Sequence, residues 1–292
     1  MPGEPGQVLT HRAGVVGSPV EHSLSPVLHR AAYDALGLTG WAYERYRIGG
    51  ADEMDLRTFV DGLGPEWVGL SVTMPDKEAA LALAVAATEQ SLRIGAANTL
   101  VRREDGWVAS NTDPDGVLGA LGEAGLTGAV RAVVLGAGAT ARSTLDALAR
   151  IGVREVVFGV REEVREESAG LATRLGMSVD AVRLADATRL VTEIGRADVT
   201  ASTLPGGAAV GDAGGFELAD LSGRVLLDAV YADWPTPLAR WAQSCGATVV
   251  SGAEMLLHQA AGQVELMTGR TAPLEAMRAA LTQALEARVD CR

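Results

Sequence analysis

One lysine, Lys77, stands among the 25 lysine and arginine side chains of this chain; the other 24 are arginine. A guanidinium keeps its charge at any ordinary pH, whereas an amine can release its proton. Lys77 closes the stretch Gly69-Leu70-Ser71-Val72-Thr73-Met74-Pro75-Asp76-Lys77. Val68 to Val72 is a short apolar run rich in β-branched residues and reads as a buried strand. Asp76-Lys77-Glu78 opens an Ala/Leu-rich helix. Lys77 therefore falls at a strand-to-helix corner, where open α/β sheets place their ligand crevice. The plain alternative is a surface lysine. Other polar residues collect at predicted strand ends: Ser23, Ser25, Thr73, Asn98 and Asp113. An amine and a carboxylate with hydroxyls and an amide would suit a polyhydroxylated carboxylic acid. Such a ligand needs donors for its carboxylate and mixed donors and acceptors for its hydroxyls. Ser25-Pro26 also reads as a hydroxyl N-cap followed by proline at the first helical position, and Asn111 and Asp113 as caps of the next helix. Ser23 has no such duty, and with the free amides of a helix N-terminus it would seat an anion. His22 and His29 read as structural, and no metal ligand set is indicated.

The second half carries a nucleotide signature. Val130 to Leu135 is a buried parallel-strand run that feeds Gly136-Ala137-Gly138-Ala139-Thr140-Ala141-Arg142 and then a helix. Glycines at 136 and 138 with alanine at 141 match G-x-G-x-x-G/A in its strand–turn–helix setting, so the backbone can approach a pyrophosphate on the helix N-terminus. The following strand, Arg154 to Val160, ends at Arg161. An acid there would select the ribose 2′-hydroxyl of NAD, and an arginine suits the 2′-phosphate of NADP. Glu162 and Glu163 follow directly, so simple surface pairing is the competing reading for Arg161.

These residues need elements to hold them. In the first half, strands are expected over 12–17, 41–48 and up to Thr73, with helices after Pro26 and over 51–63. The apolar run Ala79 to Ala87 reads as a buried helix, and Asp105-Gly106 as a hairpin turn. In the second half, strands are expected at 178–184, 198–203, 225–230 and 248–251. Helices 254–268 and 273–288 lie outside the nucleotide unit and are expected to return to the first domain. The fold class is thus α/β in two domains: 1–112 with 252–292 for substrate, and a Rossmann-like 113–251 for the dinucleotide. A net charge of −12 and a pI near 4.8 disfavour nucleic acid and anionic membranes as partners. Hydrophobic content of 48% and a mean hydropathy of +0.15 argue for a folded core. Cys245 and Cys291 show no metal or disulfide spacing, which fits a reducing cytoplasm. The N-terminus lacks a secretory pattern, and no apolar run is long enough to span a bilayer.

Six ordered motifs carry a family resemblance. Gly17 to His29 matches Gly-x-Pro-x-x-His-Ser-x-Ser-Pro-x-x-His, and Ser71 to Lys77 matches Asn-Val-Thr-x-Pro-x-Lys. Gly95 to Thr99 matches Gly-Ala-x-Asn-Thr, and Asn111 to Gly116 matches Asn-Thr-Asp-x-x-Gly. Asp228 to Leu238 matches Asp-x-x-Tyr with a following Thr-Pro-Leu, and Gly252 to Ala260 matches Gly-x-x-Met-Leu-x-x-Gln-Ala. The chain resembles shikimate dehydrogenase over nearly its full length. The resemblance implies reversible reduction of 3-dehydroshikimate to shikimate by NADPH, with Lys77 and Asp113 as the catalytic pair. It implies Ser23, Ser25 and Tyr231 for the substrate carboxylate, and Thr73, Asn98, Asp113 and Gln259 for the ring hydroxyls. It assigns Gly136, Ala137, Gly138, Ala139, Thr140, Arg161, Thr203 and Gly252 to the cofactor, and implies two α/β domains with a cleft between them, as a monomer or homodimer. Four departures stand out: Ser71 for the usual Asn, Arg30 for the Asn after His29, Ala139 for a third glycine, and Val160-Arg161-Glu162 for Asn-Arg-Thr. The last keeps NAD possible, so an NAD-dependent quinate/shikimate dehydrogenase is the alternative enzyme. A non-catalytic protein sensing shikimate and NADP is the alternative outside enzymes.

Overall fold

The computed structural model describes residues 9–208, 210 and 219–290. The N-terminal stretch 1–8 and Cys291 lie outside these described residues, while Cys245 is a buried free thiol. The fold is α/β in two compact units, one from the described residues of 1–112 and 257–292 and one from 113–256.

The first unit is built on a mixed sheet. Its strands are β1 (His11–Gly17), β2 (Trp41–Arg47), β3 (Trp67–Val72), β4 (Ala86–Ala87), β5 (Thr99–Arg103) and β6 (Gly106–Ser110), in the order β2-β1-β3-β5-β6-β4. β1 runs parallel to β2 and β3, whereas β5 is antiparallel to β3 and β6. Alternate residues of β1 enter different cores: Ala13 and Val15 meet Tyr33, Tyr43 and Met267, while Val16 meets Leu70, Val72 and Leu100. Burial on both faces is why β1 reads as a continuous apolar run. Helices α1 (Ser25–Ala35), α2 (Leu56–Asp61), α3 (Lys77–Leu83) and α4 (Glu89–Ile94) follow their strands, and the C-terminal helix Leu274–Asp290 packs on α1.

Two helical expectations are corrected here. Ala79 to Ala87 is not one buried helix. α3 ends at Leu83 with only Ala80 buried, Val85 is 64% exposed, and Ala86–Ala87 pairs with β6. Small alanine side chains gain little by burial, so an alanine-rich run does not have to turn inward. The helix expected over 51–63 shortens to α2, because the Asp55 side chain accepts from Thr58 N at 2.9 Å and fixes the start there.

The second unit is a parallel sheet of β7 (Arg131–Leu135), β8 (Glu155–Val160), β9 (Ser178–Arg183), β10 (Val199–Ser202), β11 (Val225–Asp228) and β12 (Thr248–Ser251). The order β9-β8-β7-β10-β11-β12 is the doubly wound arrangement, whose switch point lies between β7 and β10. Helices α5 (Asp113–Glu123), α6 (Ala139–Arg150), α7 (Glu166–Arg174), α8 (Ala187–Arg196) and α9 (Pro237–Ser244) surround it. Ala132, Val134 and Phe158 fill the core on one face, and Val133, Leu135 and Val157 fill that on the other. Helix α10 (Gly252–Thr268) begins in this unit and ends in the first, followed by α11, the helix Leu274–Asp290. Among the described residues, no helix is long and apolar enough to cross a membrane.

Candidate active site

Strand register decides where the polar residues of the first unit meet. Val16 pairs with Val72, Ser71 with Thr99, and Thr99 with Ser110. The ends of β1, β3 and β6 and the start of β5 therefore share one edge of the sheet. The serine loop, Thr73 to Lys77, Asn98 and the segment Asn111-Thr112 all leave from that edge. Gly17, at φ +150°, lets two of these segments touch: a Cβ there would lie 2.6 Å from the Met74 carbonyl oxygen. Ser18 N donates to that same oxygen at 2.9 Å, and Ala97 N donates to the Lys77 carbonyl at 2.8 Å. The backbone around Lys77 is thus tied to both neighbouring loops. Lys77 is the first residue of α3 and is half-buried. A cation at that end opposes the helix dipole, so helix stability does not account for its placement.

Asn98 is the hub of this edge. It is buried, its Oδ1 accepts from Thr112 N at 2.9 Å, and its Nδ2 donates to Thr112 Oγ1 at 2.9 Å and to Gln259 Oε1 at 3.2 Å. This brings Gln259, from α10, to the residues of β5 and β6. Asp113 follows Thr112 directly, is buried, and opens α5. The serine loop departs from expectation. Leu24 is the N-cap residue of α1, and the Ser25 side chain makes no capping bond. Ser23 instead accepts from Ser25 N at 3.3 Å and donates to Ser25 Oγ at 3.2 Å. The preceding turn, closed by Ser23 N donating to the Val20 carbonyl at 3.0 Å, shifts the helix start by one residue.

A second polar layer lies beneath and escapes the motif reading. Tyr43 OH donates to Ser71 Oγ at 2.5 Å, Ser71 Oγ donates to Gln263 Oε1 at 2.7 Å, and Gln263 Nε2 donates to the Asn98 carbonyl and to Thr99 Oγ1, both at 3.1 Å. His29 stacks on Tyr43 at 3.9 Å between centroids and its Nε2 lies 3.4 Å from Gln263 Oε1. Ser71 thus fits a site where Tyr43 and Gln263 fill the space beside it. The one signal for Gln263 was its position four residues after Gln259, one helical turn along the same face.

His29 yields a stability prediction. Burial pushes its pKa down to about 3, with the Gln263 contact opposing weakly. The folded value lies below the unfolded value near 6.5, so the unfolded chain binds the extra proton. His29 therefore costs no stability above about pH 6.5, and its cost grows as pH falls toward about 3, by up to about 1.4 kcal/mol per pH unit. Urea unfolding of the wild type and of His29→Leu at pH 7 and pH 5 checks this: the wild type should lose more stability between the two. Equal losses would contradict it.

The second unit gathers a dinucleotide cradle around the switch point. Gly136, at φ +99°, would place a Cβ 2.7 Å from Thr203 Oγ1, and Thr203 Oγ1 donates to the Leu135 carbonyl at 2.8 Å. Only glycine allows the ends of β7 and β10 to approach this closely. Gly138 is the N-cap of α6 in an extended conformation, and a Cβ there would meet nothing within 4 Å. The loop Gly136-Ala137-Gly138-Ala139-Thr140 is half-buried, with open space above Gly138, which is what a pyrophosphate on the α6 N-terminus needs. These residues fit a dinucleotide. Gly252 packs against the Ala229 backbone so closely that any Cβ would overlap it. Asp228 explains how the neighbouring loop holds Tyr231: its carboxylate accepts from Thr236 Oγ1 at 2.7 Å and from Val230 N at 3.2 Å. Burial raises the Asp228 pKa, opposed by these bonds.

Arg161 is exposed directly after β8, and its side chain makes no ion pair or hydrogen bond among the described residues. It does not pair with Glu162 or Glu163. Arg165 and Arg183, also exposed and uncommitted, belong to the same end of the sheet and escape the motif reading. The spacing from Arg161 to Arg165 was the available signal for the first. Among the described residues, no group of three or more His, Cys, Asp or Glu is placed to hold a metal.

Comparison with known proteins places the chain in a family. The family description "Shikimate dehydrogenase substrate binding domain" matches residues 15–100, and "Shikimate 5'-dehydrogenase C-terminal domain" matches residues 252–282. A shikimate dehydrogenase (NADP(+)) of Halobacterium salinarum is 39% identical over 278 residues, covering 92% of this chain and 97% of the relative. The crystal structure of Mycobacterium tuberculosis shikimate dehydrogenase has a TM-score of 0.82 at 46% identity, covering 94% of this chain and 99% of that one. The Thermus thermophilus shikimate 5-dehydrogenase in complex with NADP(H) and shikimate has a TM-score of 0.77 at 29% identity, covering 94% of this chain and 99% of that one.

Proposed function

We infer, from the premise that this chain belongs to the shikimate dehydrogenase family, that it catalyses the reversible NADPH-dependent reduction of 3-dehydroshikimate to shikimate. The reaction serves the synthesis of chorismate and the aromatic amino acids. The observation that carries the reading is the shared sheet edge of the first unit, from which the serine loop, Thr73, Lys77 and Asn98 all leave. The unit of 1–112 and 257–292 serves the substrate, and the unit of 113–256 serves the cofactor.

Roles follow from chemistry. Ser23 and Ser25, with Tyr231, donate to the substrate carboxylate. Thr73, Asn98 and Gln259 meet the ring hydroxyls, and the fixed amide of Asn98 orients them. Gly136 to Thr140, Thr203 and Gly252 hold the dinucleotide, and Arg161 its 2′-phosphate. When bound, NADPH supplies the hydride. The substrate's 3-oxygen grows basic as its carbon is reduced, and Lys77 gives that oxygen a proton. Asp113 is the carboxylate partner of Lys77 in the catalytic pair. In the reverse direction Lys77 takes the hydroxyl proton. An arginine in its place holds its proton too tightly for either step. The protein acts in the cytoplasm as a monomer or homodimer, a reading supported by its cysteine usage and its family.

Steady-state rates with shikimate or quinate against NADP or NAD test the assignment. The expected result is the highest kcat/KM for shikimate with NADP. A preference for quinate with NAD would install the alternative enzyme. Tight binding of shikimate with no NADP reduction would make the chain a sensor.

A further inference from the structure

We propose that Arg183, the last residue of β9, is a determinant of NADP recognition that joins Arg161 and Arg165 in a cationic seat for the ribose 2′-phosphate. The inference rests on the dinucleotide reading of the second unit. Three ties frame the seat. Gly136 N donates to the Gly159 carbonyl at 2.9 Å, and Ser168 Oγ donates to the Ala137 carbonyl at 2.8 Å. The glycine loop is thereby fixed to the end of β8 and to the start of α7. Leu184 N donates to the Val160 carbonyl at 2.8 Å, and Val160 pairs in register with Arg183. Arg183 therefore stands one strand spacing, about 4.8 Å, from the residue that precedes Arg161.

Charge makes this cluster unusual. The chain carries a net charge of −12, and many of its arginines are bound to acids: Arg12 to Glu44, Arg47 to Glu53, Arg131 to Glu193 and Arg150 to Asp146. Arg161, Arg165 and Arg183 are all exposed at one end of β8 and β9, and none makes a side-chain hydrogen bond or ion pair among the described residues. Arg165 is the N-cap residue of α7 and forms no side-chain cap bond. A cation there opposes the helix dipole, so the helix gains nothing from it. Glu162 and Glu163 occupy the same loop and repel a phosphate dianion. Arg183, on the neighbouring strand, supplies the positive charge that offsets them and a guanidinium fork that matches phosphate geometry.

The test is Arg183→Gln in the full chain, read by calorimetry with 2′,5′-ADP and with 5′-AMP, and by steady-state kinetics with NADP and NAD. The side chain is exposed, so folding is retained and thermal unfolding checks it. The expected result is a roughly 10- to 100-fold loss of 2′,5′-ADP affinity, the range for a charge-assisted hydrogen bond. Affinity for 5′-AMP stays unchanged, and KM for NADP rises by the same factor with kcat unaltered. Unchanged 2′,5′-ADP affinity in the variant would overturn the role of Arg183 alone. So would parallel losses of both nucleotides. A wild type that binds 2′,5′-ADP no better than 5′-AMP would overturn the NADP reading itself, and the role of Arg183 with it.

Discussion

Lys77→Ala is expected to lower kcat for shikimate oxidation by about 10²–10⁴, the usual range for losing a general acid/base, with a smaller change in KM. Lys77→Arg is expected to recover little of that loss, because a guanidinium has the charge and donors but not a transferable proton. The contrast separates proton transfer from simple charge. An electrostatic role would be served by arginine, and a structural role would appear in thermal unfolding of both variants. Neither variant should unfold early, since Lys77 is half-buried at a helix start where its charge opposes the dipole. Asp113→Asn keeps the shape but removes the carboxylate of the proposed catalytic pair, so its kcat should fall as well. Near-normal turnover by Lys77→Arg would contradict the proton-donor role.

Gly252→Ala and Gly138→Ala are expected to fail in opposite ways. Gly252 is buried, and an added Cβ would overlap the Ala229 carbonyl group and lie 2.9 Å from Ala229 Cα. Those are backbone atoms that no rotamer change can clear. The start of α10 and the end of β11 must separate, at a cost of about 1–3 kcal/mol or more for overpacking. For a chain of this size that corresponds to a fall in Tm of roughly 2–4 °C per kcal/mol. Gly138→Ala meets nothing within 4 Å and has an ordinary negative φ of −91°. It should unfold at the wild-type temperature yet bind NADP more weakly, because the new methyl group occupies the space reserved for the pyrophosphate. Thermal scans and NADP titrations of both variants check this. Equal Tm losses in the two would refute the distinction.

Much of this organisation was readable in the residues themselves. The glycine loop after Val130 to Leu135 declares both its turn and its helix, because strand, positive-φ glycine and open N-terminus must occur together for a phosphate to approach. The hairpin at Asp105-Gly106 and the parallel runs of the second unit were equally plain, since burial on both faces leaves continuous apolar segments. What the residues hid was set by register and by distant partners. Ser25 looks like a cap, but the turn before it places Leu24 at that position. Ala79 to Ala87 looks buried, but most of it lies at the surface, and its end becomes a strand. Gln263 reaches Asn98 and Ser71 only because α10 lies over β3 and β5, a pairing that spans more than 160 residues. Arg183 comes beside Val160 only through the alignment of β8 with β9. Local chemistry fixes loops, and long-range pairing decides which loops meet.

A crystal structure of the chain with shikimate bound tests the central claim most directly. The account predicts the ring carboxylate at Ser23 and Ser25 and the Lys77 Nζ within about 3.2 Å of the 3-hydroxyl oxygen, the reach a proton transfer requires. Shikimate bound with the Lys77 amine turned to open solvent, and another titratable group on that oxygen, would contradict it.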